Sequence, residues 1–320
     1  MTKEDLRIVF MGTPEFAVET LKALVDNQYN VVAVVTQPDK PVGRHGSVLQ
    51  PSAVKQYAQE KGLPVLQPEK MKDPAFVEEL RSYRANLQVV VAFRMLPEVV
   101  WAMPEYGTFN VHAALLPQYR GAAPINWAVI NGETQTGVTT FFLDHDIDTG
   151  RVIMQLPFAI PDDADVEYVY DGLMHLGADI CLQTLDRILA ADGFPDSIPQ
   201  QESALLKTAP KIFKETCEVN WQQPVKRIYD FVRGLSPYPG AWTTLVSPDG
   251  RETVLKLFRT RKTDRKADRV GQIVTDRKCL YIAAEDCLLQ IEELQLAGKK
   301  RMDAAAFLNG MKDIEKYFAR

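Results

Sequence analysis

Apolar positions recur along this 320-residue chain with two different periods, and the order in which those periods appear outlines its elements. Leu6 to Phe10 is a short apolar run ending at Met11-Gly12-Thr13-Pro14. Phe16, Thr20, Leu21 and Leu24 then recur at the spacing of one helix face, and Val31 to Val35 forms a second apolar run. Strand, tight turn, helix and strand in that order open a parallel sheet. Gly12 suits the turn, and Pro14 the first helical turn, where a missing N–H costs nothing. The alternation continues with helices over 52–61 and 73–83 and strands over 64–66 and 87–92. Val89-Val90-Val91-Ala92 is apolar on both faces, as a central parallel strand is. Strands over 109–112 and 137–143 flank a helix over 123–131, and 152–158 continues as a strand. From Val166 to Ile188 an apolar stripe marks one long helix, on which His175 reads as structural.

Periodicity fades from Gly193 to Lys207, where a linker is expected. Beyond it the pattern changes to a helix over 224–235 and short strands over 241–246, 253–261, 270–274, 279–283 and 288–296. Turn signals separate them at Pro239-Gly240, Pro248-Asp249-Gly250 and Ala297-Gly298. The pattern predicts an α/β chain of two domains. A Rossmann-like, mostly parallel sheet domain covers 1–192, a linker 193–207, and a small β-barrel of the oligonucleotide-binding type 208–320.

Composition narrows the function classes. With 46% hydrophobic and 25% charged residues the chain can bury a core. No apolar run approaches the ~20 residues that span a bilayer, and Met1-Thr2-Lys3-Glu4-Asp5-Leu6 is no signal region. No membrane partner, a cytoplasmic location and a monomer are expected. The four cysteines, Cys181, Cys217, Cys279 and Cys287, have no Cys-x-x-Cys spacing and read as reduced, buried thiols rather than a disulfide frame or zinc site. The net charge of -5 is unevenly spread: 16 Lys and Arg face 27 Asp and Glu up to Lys207, and 21 face 15 from Thr208 onward. A basic C-terminal part fits a polyanionic partner, and fits a solvated basic surface equally well.

Candidate chemistry gathers between Thr108 and Gly150. On a strand, Asn110 and His112 share one face, and the acidic turn Asp144-His145-Asp146-Ile147-Asp148-Thr149-Gly150 follows the next strand. A carboxamide, an imidazole and a carboxylate suit acyl transfer through an oxyanion, with an amine attacking directly. By spacing alone, a histidine satisfied at a strand end and an ordinary hairpin turn remain the stronger reading. The acidic turn fails the calcium-loop template, because its sixth position is Thr149 and its twelfth Gln155, so no metal is expected. A single Gly12 disfavours dinucleotide binding. Thr36 to Gln50 is a basic loop with Lys40, Arg44 and His45, and Phe93 to Pro97 leaves the carboxyl end of a strand, where open α/β sheets bind ligands.

Several motifs resemble those of the tetrahydrofolate-dependent formyltransferases. They are Asn110-Val111-His112, Leu115-Leu116-Pro117, Tyr119-Arg120-Gly121-Ala122-Ala123-Pro124, Thr136-Gly137-Val138-Thr139 and Asp148-Thr149-Gly150. Gly12 to Ala17, Thr36 to Arg44 and Ser236 to Trp242 also fit, so the resemblance covers nearly the whole chain. Within the family it is most similar to the branch acting on methionine carried by initiator tRNA. The resemblance implies 10-formyltetrahydrofolate as co-substrate and Asn110, His112 and Asp148 as catalytic residues. It implies folate contacts at Arg94, Met95, Leu96, Leu115, Pro117 and Asp144, and tRNA contacts at Lys40 and Arg44. The family pattern usually carries Ser two places after the histidine, where this chain has Ala114.

Overall fold

The first strand, β1 (Arg7–Gly12), lies inside a seven-stranded sheet with neighbours on both sides, and that position decides where a ligand can enter. In the computed structural model, which describes residues 1–42, 46, 48–203 and 205–320, α1 (Glu15–Asp26) and β2 (Asn30–Val35) follow. A hairpin of β3 (Lys40–Val42) and β4 (Val48–Gln50) leads to α2 (Ala53–Glu60), β5 (Val65–Leu66) and α3 (Pro74–Ser82). Next come β6 (Leu87–Val91), α4 (Glu98–Trp101), β7 (Thr108–His112), β8 (Arg120–Gly121), α5 (Pro124–Ile130), β9 (Gln135–Phe142), β10 (Val152–Ala159) and α6 (Val166–Ala190).

The sheet order is β10-β9-β7-β6-β1-β2-β5. From β7 to β5 neighbouring strands are parallel. β9 runs antiparallel to β7, with Phe109 opposite Phe142 and His112 opposite Thr139. The chain leaves β1 toward β2 and returns on its other side with β6. The carboxyl ends of β1 and β6 therefore bound the crevice where the order reverses. Gly12 ends β1 because a Cβ there would stand 2.7 Å from the Ala17 Cβ and 2.9 Å from the Val91 carbonyl oxygen. Ser52 and Asp73 cap α2 and α3 through their side chains, which fixes where those helices begin.

The chain gathers into two compact units. The first holds Met1–Gly121, Thr136–Ala159 and Tyr170–Thr208; the second holds Ala122–Gln135, Ile160–Val169 and Ala209–Arg320. The segment expected as a linker groups with the first unit. Reciprocal 2.8 Å backbone bonds between Val152 and Ile198, and a 2.9 Å bond from Arg151 to the Ser197 hydroxyl, lay it beside β10.

After β11 (Thr208–Ala209), the second unit continues with α7 (Val225–Gly234), β12 (Ala241–Val246), β13 (Glu252–Lys266), β14 (Ile273–Asp276), β15 (Cys279–Ala283) and β16 (Cys287–Leu296). The short β17 (Met302–Asp303), α8 (Ala304–Gly310) and β18 (Phe318–Ala319) complete it. The antiparallel sheet runs β14-β15-β16-β13-β12-β18. It curls until its edges meet: Phe318 bridges Gln272, and the Ala319 N–H donates to the Gly271 carbonyl at 2.8 Å. The barrel expected from five strands is thus closed by a sixth, two-residue strand that periodicity does not register. Leu245, Leu257, Ile282, Leu289 and Ile291 fill its core with Ile228 and Val232 of α7, and Ile130 of α5 belongs to the same cluster.

A charged knot ties this unit together. Asp230, 2% exposed, accepts hydrogen bonds from Lys226 and, at 2.9 Å, from Arg233. Arg233 also donates to the Ala164 carbonyl at 2.8 Å. Nearby, the Lys262 ammonium donates to Asp162 at 2.6 Å and holds that carboxyl below the usual aspartate range. A carboxyl whose pKa is lower in the folded state contributes stability above its unfolded pKa, and the contribution is lost as pH falls through the folded value. Asp162→Asn is therefore expected to lower the unfolding temperature slightly at neutral pH, with the difference from the parent shrinking only as pH falls below about 4 and through the lowered folded-state pKa. Thermal melts of both proteins across that range check it, and a gap that persists in acid would refute the ion pair's contribution.

Candidate functional site

β7 carries two of the three polar side chains that the sequence singled out. His112 is buried at its carboxyl end, and Asn110 is half-buried two residues earlier. The imidazole is clamped by main chain: its Nε2 lies 2.9 Å from the Tyr119 carbonyl oxygen. A carbonyl only accepts, so Nε2 carries the hydrogen, and Nδ1 is the nitrogen left to exchange a proton. Nδ1 stands 3.8 Å from Oδ2 of Asp148, an ion-pair separation too long for a hydrogen bond. That oxygen accepts from the Gly121 N–H at 2.9 Å instead. Phe141 sets its ring edge-on to the imidazole, with centroids 6.3 Å apart, and so shields one side of it. The Oδ1 of Asn110 is buried with no hydrogen-bond partner among the described residues, a cost that a bound donor would relieve.

The loop that delivers Asp148 is shaped from within and from outside. Asp144 accepts from the Thr149 hydroxyl at 2.8 Å and from the Asp146 N–H at 3.2 Å, so its carboxylate is engaged in the turn itself. Gly150 ends the loop where a Cβ would fall 1.6 Å from the Phe142 carbonyl oxygen. Asp148 has φ 57°, in the left-handed region that residues other than glycine, asparagine and aspartate rarely adopt. From outside, Gln200 donates to the carbonyls of Asp148 and Gly150, each at 2.8 Å.

The turn after His112 is fastened by Thr139. Its hydroxyl donates to the Ala114 carbonyl at 2.6 Å and accepts from the Leu116 N–H at 3.1 Å and from Gln155 at 2.9 Å. Leu115 and Pro117 are half-buried there. Ala114 is fully buried, so the hydroxyl that the family pattern usually places there is replaced by a methyl group in a closed site.

The remaining sequence-derived positions scatter. Arg94 reaches away to the carbonyls of Glu69, at 2.9 Å, and Pro68. Burial pushes its pKa down. Met95 is exposed, and Leu96 is buried in a cluster with Val100, against which Trp101 and Leu143 pack. A cavity of about 310 Å³ opens beside that cluster, walled by Trp101, Thr108, Phe142, Leu143 and Phe194 among others. None of these residues is a sequence-derived candidate, since apolar side chains at strand and helix ends look like core. Lys40 is exposed on β3, and Arg44 lies outside the described residues. Of the basic residues after Thr208, Arg259 and Arg261 pair with Glu292 and Arg301 with Glu293, so part of that excess charge is already neutralised.

This arrangement can hold a developing oxyanion with an amide and an imidazole N–H and pass one proton between Nδ1 and a carboxylate. Comparison with known proteins agrees with such chemistry. The profile described as Formyl transferase matches residues 6–185, and that described as Formyl transferase, C-terminal domain, matches 211–312. The chain is 63% identical to the methionyl-tRNA formyltransferase of Parabacteroides distasonis over 99% of both chains. It is 57% identical to that of Bacteroides thetaiotaomicron, again over 99% of both. Among solved structures, HypX from Aquifex aeolicus in complex with tetrahydrofolic acid is similar at TM-score 0.63 and 20% identity over 95% of this chain, which speaks to fold alone. The chain spans 47% of that protein's length. With profiles matching both its sheet unit and its barrel, and relatives this similar from end to end, the chain belongs to the formyl transferase family.

Proposed function

We propose that this chain transfers the formyl group of 10-formyltetrahydrofolate to the α-amino group of methionine on initiator tRNA, giving N-formylmethionyl-tRNA for translation initiation. The observation that carries the reading is end-to-end similarity to methionyl-tRNA formyltransferases, which includes the barrel unit as well as the sheet that bears His112 and Asp148. An enzyme for a small amine has no need of a basic stretch such as the one from Thr208 onward, where Lys and Arg exceed Asp and Glu by 21 to 15.

In this reading Asn110 and the Nδ1–H of His112 donate to the formyl oxygen as the neutral amine forms its C–N bond and charge gathers on that oxygen. Asp148 balances the imidazolium across the 3.8 Å gap. Collapse breaks the bond from the formyl carbon to the folate nitrogen, and the proton shed by the amine ends on that nitrogen by way of the His112 and Asp148 pair. The backbone of Arg94, Met95 and Leu96, the cavity walled by Trp101 and Thr108, and Leu115, Pro117 and Asp144 are assigned to the folate. Lys40 and Arg44 are assigned to the tRNA.

A single-turnover assay with 10-formyltetrahydrofolate and methionine-charged tRNA tests the proposal by mass detection of N-formylmethionine. Product on initiator and not on elongator tRNA is expected. Formylation of amino sugars with none on charged tRNA would overturn it.

A further inference from the structure

Gln200 sits in a segment without periodicity, yet its carboxamide uses its whole hydrogen-bonding capacity. Oε1 accepts from Arg120 twice, from Nε at 3.1 Å and from the terminal Nη2 at 2.8 Å. Nε2 donates to the main-chain carbonyls of Asp148 and Gly150, both at 2.8 Å. A carboxamide has two donor hydrogens and two acceptor lone pairs, so all four are taken. The guanidinium on one side and the two carbonyls on the other also settle which end is oxygen.

The two carbonyls bracket Thr149 and belong to the turn in which Asp148 holds its left-handed φ of 57°. A non-glycine residue in that region keeps it only while its surroundings hold it there. The Gly121 N–H grips the Asp148 carboxylate at 2.9 Å, and Arg120, the neighbouring residue, grips Gln200. One short strand thus holds Asp148 by its side chain directly and by its main chain through Gln200.

We propose that Gln200 is a positioning residue for formyl transfer, bracing the Asp148 main chain so that its carboxylate keeps its place opposite Nδ1 of His112. The proposal rests on the role given to Asp148 above. Arg120 and the 193–207 segment supply the competing account, in which Gln200 only anchors that segment.

Gln200→Glu separates the two accounts. The carboxylate has nearly the same shape and strengthens the bond to Arg120, but it sets an oxygen without hydrogens against two carbonyl oxygens. Under the proposal Gln200→Glu and Gln200→Ala each lower kcat by about 100-fold, as small misplacements of a catalytic group do, with KM for 10-formyltetrahydrofolate and the melting temperature close to the parent's. Gln200→Ala added to Asp148→Asn then causes no further loss, because the brace has no charge left to place. Parental kcat in Gln200→Glu overturns the proposal in favour of anchoring. Losses that multiply in the double variant overturn it as well, since Gln200 would then act apart from Asp148. Gln200→Ala carries the test if the Glu variant folds poorly. If Asp148→Asn itself turns over like the parent, the reading of Asp148 fails, and this inference fails with it.

Discussion

Asp148→Asn is expected to lower the formyl-transfer rate by about 10²- to 10⁴-fold, the range of a lost acid-base contribution, and to leave folate binding and stability near those of the parent. The substitution is selective for a structural reason. Asparagine tolerates the left-handed conformation better than other side chains with a Cβ, so φ 57° remains accessible. Its carbonyl oxygen can still accept from the Gly121 N–H, and its main-chain carbonyl still meets Gln200. What disappears is the negative charge 3.8 Å from Nδ1 of His112. That charge favours the imidazolium that donates to the developing oxyanion, so its loss is felt in turnover more than in ground-state binding. Single-turnover rates set beside folate affinity measured by fluorescence decide the matter, and equal losses in both would remove Asp148 from the chemistry.

Asp230→Ala is expected to destabilise the second unit by about 3–5 kcal/mol, the usual cost of stranding a buried charge. The Arg233 side chain is 7% exposed and keeps the carbonyls of Pro161 and Ala164 and the face of the Tyr229 ring, but no counter-charge at hydrogen-bond distance among the described residues, once Asp230 is gone. Lys226, 46% exposed, can turn to water at little cost. Urea unfolding of parent and variant gives the difference directly. A companion with both Asp230 and Arg233 made apolar is expected to recover much of the loss, because replacing a whole buried pair costs far less than breaking it. A loss under about 1 kcal/mol in Asp230→Ala would mean that water reaches Arg233 and that the knot contributes little.

Periodicity carried the sequence reading furthest where contacts are local or the burial pattern is strong. The β1-α1-β2 unit, the doubly apolar β6, the long stripe of α6 and the barrel strands β12 to β16 all show in the order of apolar residues, since a helix face or a two-faced strand must repeat every three to four or every two positions. The identity and alternation of residues also put Asn110 and His112 on one face of β7.

Other features were decided by packing between distant segments. Gln200 meets Asp148 and Gly150 at separations of 52 and 50 residues, and Arg120 at 80. No pattern within 193–207 announces those contacts. Ile130 and the stretch 160–169 group with the second unit although 136–159 lies between them in sequence, because Ile130 joins the barrel core and the carbonyls of Pro161 and Ala164 receive Arg233. β18 is two residues long and closes the barrel through backbone bonds that do not depend on which side chains it carries. The chain's order of polar and apolar residues determined its elements and the strand that presents the imidazole. The tertiary structure alone decided which nitrogen of His112 is free, how Asp148 is held and which residues brace it, because hydrogen bonds between remote main-chain groups leave no periodic trace in a sequence.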